Sequence, residues 1–143
     1  MDLTHRDSLV YEAERVLNCV TVPTEFRSAK AATEFVRAVQ GTRFFRNRWP
    51  TLAKRKIVVK SSRRFEWAGA KITEGVILCH PFHMNNLYML HELAHFCSKE
   101  RIVDHGPTFC GSHIALVERF ISKSAGKSLR KAYEAYNIDY KLP

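Results

Sequence analysis

The stretch Leu87-Tyr88-Met89-Leu90-His91-Glu92-Leu93-Ala94-His95-Phe96-Cys97 decides how the rest of the chain is read. Its apolar residues Leu87, Leu90, Leu93, Ala94 and Cys97 recur with helical periodicity, which predicts an α-helix with a core-facing stripe. Asn85 or Asn86 offers a side-chain oxygen to cap the first turn. On that helix His91 and His95 lie one turn apart on one face, where two ring nitrogens can reach a single ion at about 2.0 to 2.1 Å. Glu92 projects from a neighbouring part of the surface, placed to take a proton from a water molecule beside that ion.

Upstream of this helix, Val76-Ile77-Leu78-Cys79-His80 reads as a buried strand closed by Pro81, Lys56-Ile57-Val58-Val59-Lys60 as another, and Phe65 to Ile72 as a weaker one. They predict a small, mainly antiparallel sheet of about three strands. Further upstream, Asp7 or Thr4 can cap a first helix carrying Leu9, Ala13, Val16, Leu17 and Val20 and ending near Val22-Pro23. Ser28 caps a second, with Ala32, Phe35, Val36 and Val39 inside and Gly41 as its stop. Downstream, a polar loop from Ser98 to Asp104 leads to His105-Gly106-Pro107, where Gly permits a sharp turn and Pro suits the first position of a new helix. That helix runs through Phe109, His113, Leu116, Val117 and Phe120. A last one lies around Leu129, Ala132, Tyr133 and Tyr136. The fold class is therefore α+β, with about five helices on a small sheet. A single domain over 1–143 is expected, with N-terminal helices and the basic segment in 1–55 and a core in 56–137.

Composition fits that reading. A chain of 143 residues with 45% hydrophobic and 11% aromatic side chains can bury a real core. The N-terminus lacks a basic region followed by an apolar stretch, and no apolar run approaches membrane-spanning length, so a cytoplasmic protein is expected. Cys19, Cys79, Cys97 and Cys110 form no CxxC pair, which points to reduced, largely buried thiols and excludes a zinc ribbon.

The net charge of +9 sits in one segment. Between Gly41 and Arg64 there are nine Lys and Arg (Arg43, Arg46, Arg48, Lys54, Arg55, Lys56, Lys60, Arg63, Arg64) and no acid, whereas elsewhere 14 bases face 14 acids. Phe44, Phe45 and Trp49 interleave with these cations. Two readings fit: a surface for phosphate contact and base stacking, or a solvated basic face whose aromatics belong to the core.

A hydrolytic zinc site needs three protein ligands and an open position. The third ligand is expected to be His105, ten residues after His95, with a loop long enough to fold the chain back and a Gly-Pro turn to fix the ring. Glu118, His113 and Asp104 are its rivals, and His113 reads better as a packed core histidine or one that supports a ligand. The long metzincin pattern fails, because Ser98 stands where glycine and Arg101 where histidine would be needed. Cys97 points away from the face of His91 and His95, which argues against a closed structural site. His80 and His83 read as loop histidines.

The His91-Glu92-Leu93-Ala94-His95 motif followed by His105-Gly106-Pro107-Thr108-Phe109, preceded by a strand and trailed by the Leu116-Val117-Glu118-Arg119-Phe120 helix, resembles the SprT-like zinc metallopeptidases. It looks closest to small metallohydrolases of actinobacteria and their phages. The resemblance spans roughly Lys56 to Tyr136. It implies a minimal zincin-like domain in which His91, His95 and His105 hold Zn2+ and Glu92 is the catalytic base. Larger eukaryotic relatives that cut proteins crosslinked to DNA carry extra DNA-binding modules, which this chain lacks, and the loop between His95 and His105 is short. The metal site therefore carries over more firmly than the substrate.

The expected function is peptide hydrolysis by a zinc-activated water, on an extended substrate added beside Val76–His80 as a further strand. His113, Tyr88 and Tyr136 are candidate oxyanion stabilisers. The expected partners are a protein or peptide substrate and, through Arg43, Arg46, Arg48, Lys54, Arg55 and Lys56, DNA. Two alternatives stand beside this reading. One is a non-peptidase, metal-dependent amidohydrolase; a peptide deformylase is disfavoured because Val76 follows Glu74-Gly75 where that family has its cysteine ligand. The other is a zinc-stabilised nucleic-acid-binding module without catalysis.

Overall fold

The computed structural model describes residues 3–66, 69–100 and 102–143, which gather into two units: Pro23–Phe96, and Met1–Val22 together with Cys97–Pro143. In chain order the elements are α1 (Leu3–Glu14), α2 (Val16–Val20), α3 (Ala29–Gly41), α4 (Arg43–Arg48), α5 (Pro50–Ala53), β1 (Val58–Ser61), β2 (Gly69–Lys71), β3 (Val76–Cys79), α6 (Asn86–Cys97), α7 (Pro107–Phe120) and α8 (Lys123–Ala135), with a 3-10 turn at Pro81–His83. This is the expected α+β class with a three-stranded sheet.

In the Pro23–Phe96 unit, Ser28 caps α3 by accepting from the Ala31 amide at 3.1 Å, and Ala32, Val36 and Val39 form its buried stripe. The basic segment, for which no element is expected above, folds as two short helices. Thr42 caps α4 through the Phe45 amide, and Pro50 opens α5 at a position where a missing N–H costs nothing. Buried Gln40 ties this segment down, its Nε2 donating to the carbonyls of Leu52 (2.8 Å) and Arg55 (2.9 Å).

The sheet order is β1-β3-β2, with β1 parallel and β2 antiparallel to β3. The sheet is thus mixed rather than mainly antiparallel. Val76–Cys79 is apolar throughout and Ile77 and Cys79 are fully buried, so β3 takes the central position where both edges are paired. Gly75, at φ 69°, turns the chain from β2 into β3 in a conformation that side chains with a Cβ rarely adopt. The expected strand from Phe65 to Ile72 shortens to β2; residues 67 and 68 lie outside the described ones. On β1, the Val59 amide finds a partner in the Thr33 hydroxyl of α3 at 2.9 Å. Of the two cap candidates for α6, Asn85 is the one used, accepting from the Tyr88 amide at 3.0 Å. Asn86 instead binds the Thr24 amide at 2.9 Å, anchoring the segment that precedes α3.

In the other unit the expected single N-terminal helix is broken. Bonds three residues apart, Arg15 N to Glu12 O (3.3 Å) and Asn18 N to Arg15 O (3.1 Å), tighten the chain between α1 and α2. Neither unit uses Asp7 as a cap, because it lies inside α1. Val10, Ala13 and Leu17 are buried, α7 and α8 pack on each other, and Ile114, Leu116, Leu129 and Tyr133 on these two helices are fully buried. Ser122 caps α8, and Asn137, at φ 55°, ends it with the Ile138 amide reaching back to the Tyr133 carbonyl at 2.8 Å. Tyr136, expected in the last helix's packing, is exposed. The chain then crosses the start of α7, where the Lys141 amide donates to the Pro107 carbonyl at 2.8 Å. No described helix is long and apolar enough to cross a membrane.

All four cysteines are free, with Cys19 exposed and the others buried. Burial pushes the Cys79 thiol up to about 11, helped by the charge of Glu92, and pushes Cys110 up to about 12. A thiol reagent applied to the native protein at neutral pH should therefore titrate one fast thiol, Cys19, and all four only after denaturation; a second fast thiol in a Cys19→Ser variant would contradict this burial. The tail crossing generates another expectation. A Cβ at Gly111 would overlap the Lys141 carbonyl, so Gly111→Ala should cost about 1 to 3 kcal/mol in urea unfolding, and wild-type stability in that variant would show the tail not to be held there.

Candidate metal centre

The α6 helix brings three of the expected site residues together in the Pro23–Phe96 unit. The rings of His91 and His95 stand with centroids 5.1 Å apart at 65°, and Glu92 Oε1 lies 3.9 Å from His91 Nε2. Met89, Leu90, Leu93 and Ala94 are fully buried around them, which fixes the helix and hence the direction of both imidazoles. His91 and Glu92 are themselves buried and His95 is half-buried. A buried carboxylate beside two converging imidazoles is an arrangement suited to a cation and to proton transfer. Just before the helix, His80 Nδ1 accepts from the Phe82 amide at 3.1 Å, capping the 3-10 turn, and His83 stacks on Tyr88 at 4.7 Å. The two loop histidines thus have local structural tasks. A substrate strand cannot add to Val76–Cys79, which is paired on both sides. This corrects the expectation that a peptide would extend the sheet there.

His105 belongs to the other unit, on the loop that enters α7. Glu100 holds that loop to the first turn: it accepts from the Thr108 amide at 2.6 Å and from the Thr108 hydroxyl, which in turn accepts from the Lys99 amide at 2.8 Å. Gly106 is needed for space rather than for a special backbone angle. Its φ of −72° is ordinary, whereas a Cβ there would run into the Glu100 carboxylate. His105 is 3% exposed; its Nδ1 lies 2.8 Å from Asp7 Oδ1, and its carbonyl accepts from Arg6 Nε at 2.7 Å. The rings of Tyr11 and Phe109 meet it edge-on, at 5.0 and 4.7 Å.

The rivals for the third ligand fall elsewhere in that unit. Asp104 and Glu118 are exposed, the latter crowded against Gly126 at the α7–α8 crossing. His113 is a core histidine: its Nδ1 lies 3.1 Å from the Tyr133 hydroxyl and 3.4 Å from Glu14 Oε1. Burial pushes the Tyr133 hydroxyl well above the ordinary tyrosine range, with Glu14 adding to the shift, so it stays protonated. Sequence reasoning missed Arg6, Glu14 and Tyr133 and gave Asp7 a different task. No local signal announces them, since these partners of Arg6, Asp7 and Glu14 lie 98 to 133 residues away.

In the basic segment Arg43, Arg46, Arg48, Lys54 and Lys56 are exposed, as are Lys60, Arg63 and Arg64. Arg55 is not among them. It donates to the carbonyls of Ile72 and Thr73 and lies over Phe96. Phe45 is fully buried, while half-buried Phe44 and Trp49 contact each other and Arg48 lies 3.9 Å over the Phe44 ring. Comparison with known proteins adds nothing to this geometry, since no protein-family model, curated protein or solved structure matches the chain.

Proposed function

We propose that this protein is a zinc-dependent metallohydrolase of the SprT-like kind that cleaves peptide bonds, with His91, His95 and His105 as metal ligands and Glu92 as general base. The observation that carries the reading is the α6 geometry: two imidazoles one turn apart with a buried carboxylate 3.9 Å from one of them. His91 and His95 each offer one ring nitrogen from α6, and His105 is the third ligand that the resemblance implies. Three neutral imidazoles suit zinc, and leave room for a fourth position. At His105 the Asp7 carboxylate faces Nδ1, and a zinc-binding histidine usually turns its non-coordinating ring nitrogen to such a group.

Bound there, zinc supplies Lewis acidity to a water molecule and to the carbonyl under attack. The remaining work belongs to the side chains. Glu92 takes a proton from water as its oxygen bonds to the carbonyl carbon, and returns that proton to the amine nitrogen as the C–N bond breaks. Burial of Glu92 keeps bulk water from competing for this proton.

Purified protein should contain one zinc per chain by elemental analysis and hydrolyse a denatured protein such as casein. Glu92→Gln should keep the metal and lose turnover by about 100- to 10,000-fold, whereas alanine at His91, His95 or His105 should lose the metal. Unchanged turnover in Glu92→Gln would end the hydrolase reading and leave the zinc-stabilised binding module.

One observation favours a second property of the same chain. Pro23–Phe96 carries 13 Lys and Arg against 5 acids, with eight exposed cations in its basic segment. These suit contact with the phosphates of nucleic acid, with Phe44 and Trp49 partly open for stacking. Replacing Arg43, Arg46 and Arg48 together by Gln should flatten the dependence of log affinity for DNA on log salt by about 2 to 3 if each contacts one phosphate. An unaltered slope would remove the nucleic-acid reading.

A further inference from the structure

Three side chains of one helix converge on His105. From α1, Asp7 Oδ1 lies 2.8 Å from His105 Nδ1, Arg6 Nε donates to the His105 carbonyl at 2.7 Å, and Tyr11, one turn beyond Asp7, meets the ring edge-on. The same Arg6 guanidinium reaches the carboxylate of Asp139 at 2.5 Å and its carbonyl at 3.0 Å, so it joins α1, the His105 loop and the chain after α8. Backbone, ring face and one ring nitrogen of a single buried residue are thereby held from outside its own loop.

An ionised carboxylate only accepts hydrogen bonds, so its contact with Nδ1 requires that nitrogen to carry the proton. A neutral imidazole protonated at Nδ1 has its lone pair on Nε2. We infer that α1 is a working part of the metal centre, with Asp7 as the positioning residue that holds His105 in the Nδ1–H tautomer and Arg6 as the residue that holds its backbone. The inference rests on His105 being a ligand, as proposed above, and adds a partner 98 residues away that presents the correct nitrogen. It also couples two processes. Whatever strengthens the hold of zinc on His105 strengthens the docking of α1, and undocked α1 leaves a weaker metal site.

The test uses the full chain without metal and with it. In metal-free protein labelled with 15N at histidine, long-range proton–nitrogen correlation should show His105 protonated at Nδ1. Asp7→Ala should move it toward the Nε2–H form, and competition with a chromophoric chelator should show zinc bound 10- to 100-fold more weakly, on the order of what loss of such a partner costs. Asp7→Asn, nearly the same shape, guards against loss of fold, and Glu12→Ala on the exposed side of α1 should change neither readout. An Nε2–H form in the wild type, or an unshifted tautomer and unchanged zinc affinity in folded Asp7→Ala, overturns the inference. If His105→Ala binds zinc as tightly as the wild type, the ligand assignment itself fails, while the spectrum still decides whether Asp7 sets the tautomer.

Discussion

A buried imidazole brings two ring nitrogens out of water, and each must be given something to bond. Much of the polar architecture of this chain answers that demand. In the unit formed by the two ends of the sequence, Asp7 serves His105, while Glu14 and Tyr133 serve His113. This explains why α1 turns Arg6, Asp7 and Glu14 toward its packed side, where a helix in a simple apolar core would place leucine or valine. Its apolar contribution is correspondingly small, with Val10 and Ala13 as its buried residues. In the Pro23–Phe96 unit, His80 is used to cap a turn and His83 to stack on Tyr88, so the histidines outside α6 are consumed by local structure.

What the sequence disclosed follows the range of the interactions involved. Ser28 and Asn85 mark helix starts through bonds that span a few residues, and Pro107 through the fixed φ of its own ring, so each was legible locally. The pairing of His91 with His95 is likewise a property of one helical turn. Asp7 has a side chain well suited to a cap, but the bond that decides its place runs to His105, and nothing near it in the chain signals this. The same holds for the sheet. Periodicity located β1 and β3 within a residue or two, whereas their parallel pairing depends on β2 forming a hairpin with β3 and so admitting β3 to the centre. The two short helices of the basic segment escaped notice because charged residues outnumber apolar ones in it and the stops at Thr42 and Trp49 interrupt any period.

Charge is divided as unevenly as the histidines. Outside Pro23–Phe96 the chain carries 10 Lys and Arg against 9 acids, so the other unit is nearly neutral. The aromatics that interleave with the cations split between two tasks. Phe45 is core, and Phe44 and Trp49 form a half-open pair that also seats Arg48. Arg55, counted with the surface cations on sequence alone, spends its donors on the carbonyls of Ile72 and Thr73. A cationic residue in a basic run is therefore not automatically a surface one.

The discontinuity of the unit made by Met1–Val22 and Cys97–Pro143 has a consequence for how the chain acquires its structure. During synthesis α1 precedes its partners, and Arg6 waits for His105 and Asp139, 99 and 133 positions later. At about 5 to 20 residues per second that delay is on the order of ten seconds. Pro23–Phe96 is contiguous and complete before then. Asp7 and Arg6 can thus reach His105 only after the whole of Pro23–Phe96 has been synthesised, and Arg6 completes its contacts later still, when Asp139 arrives.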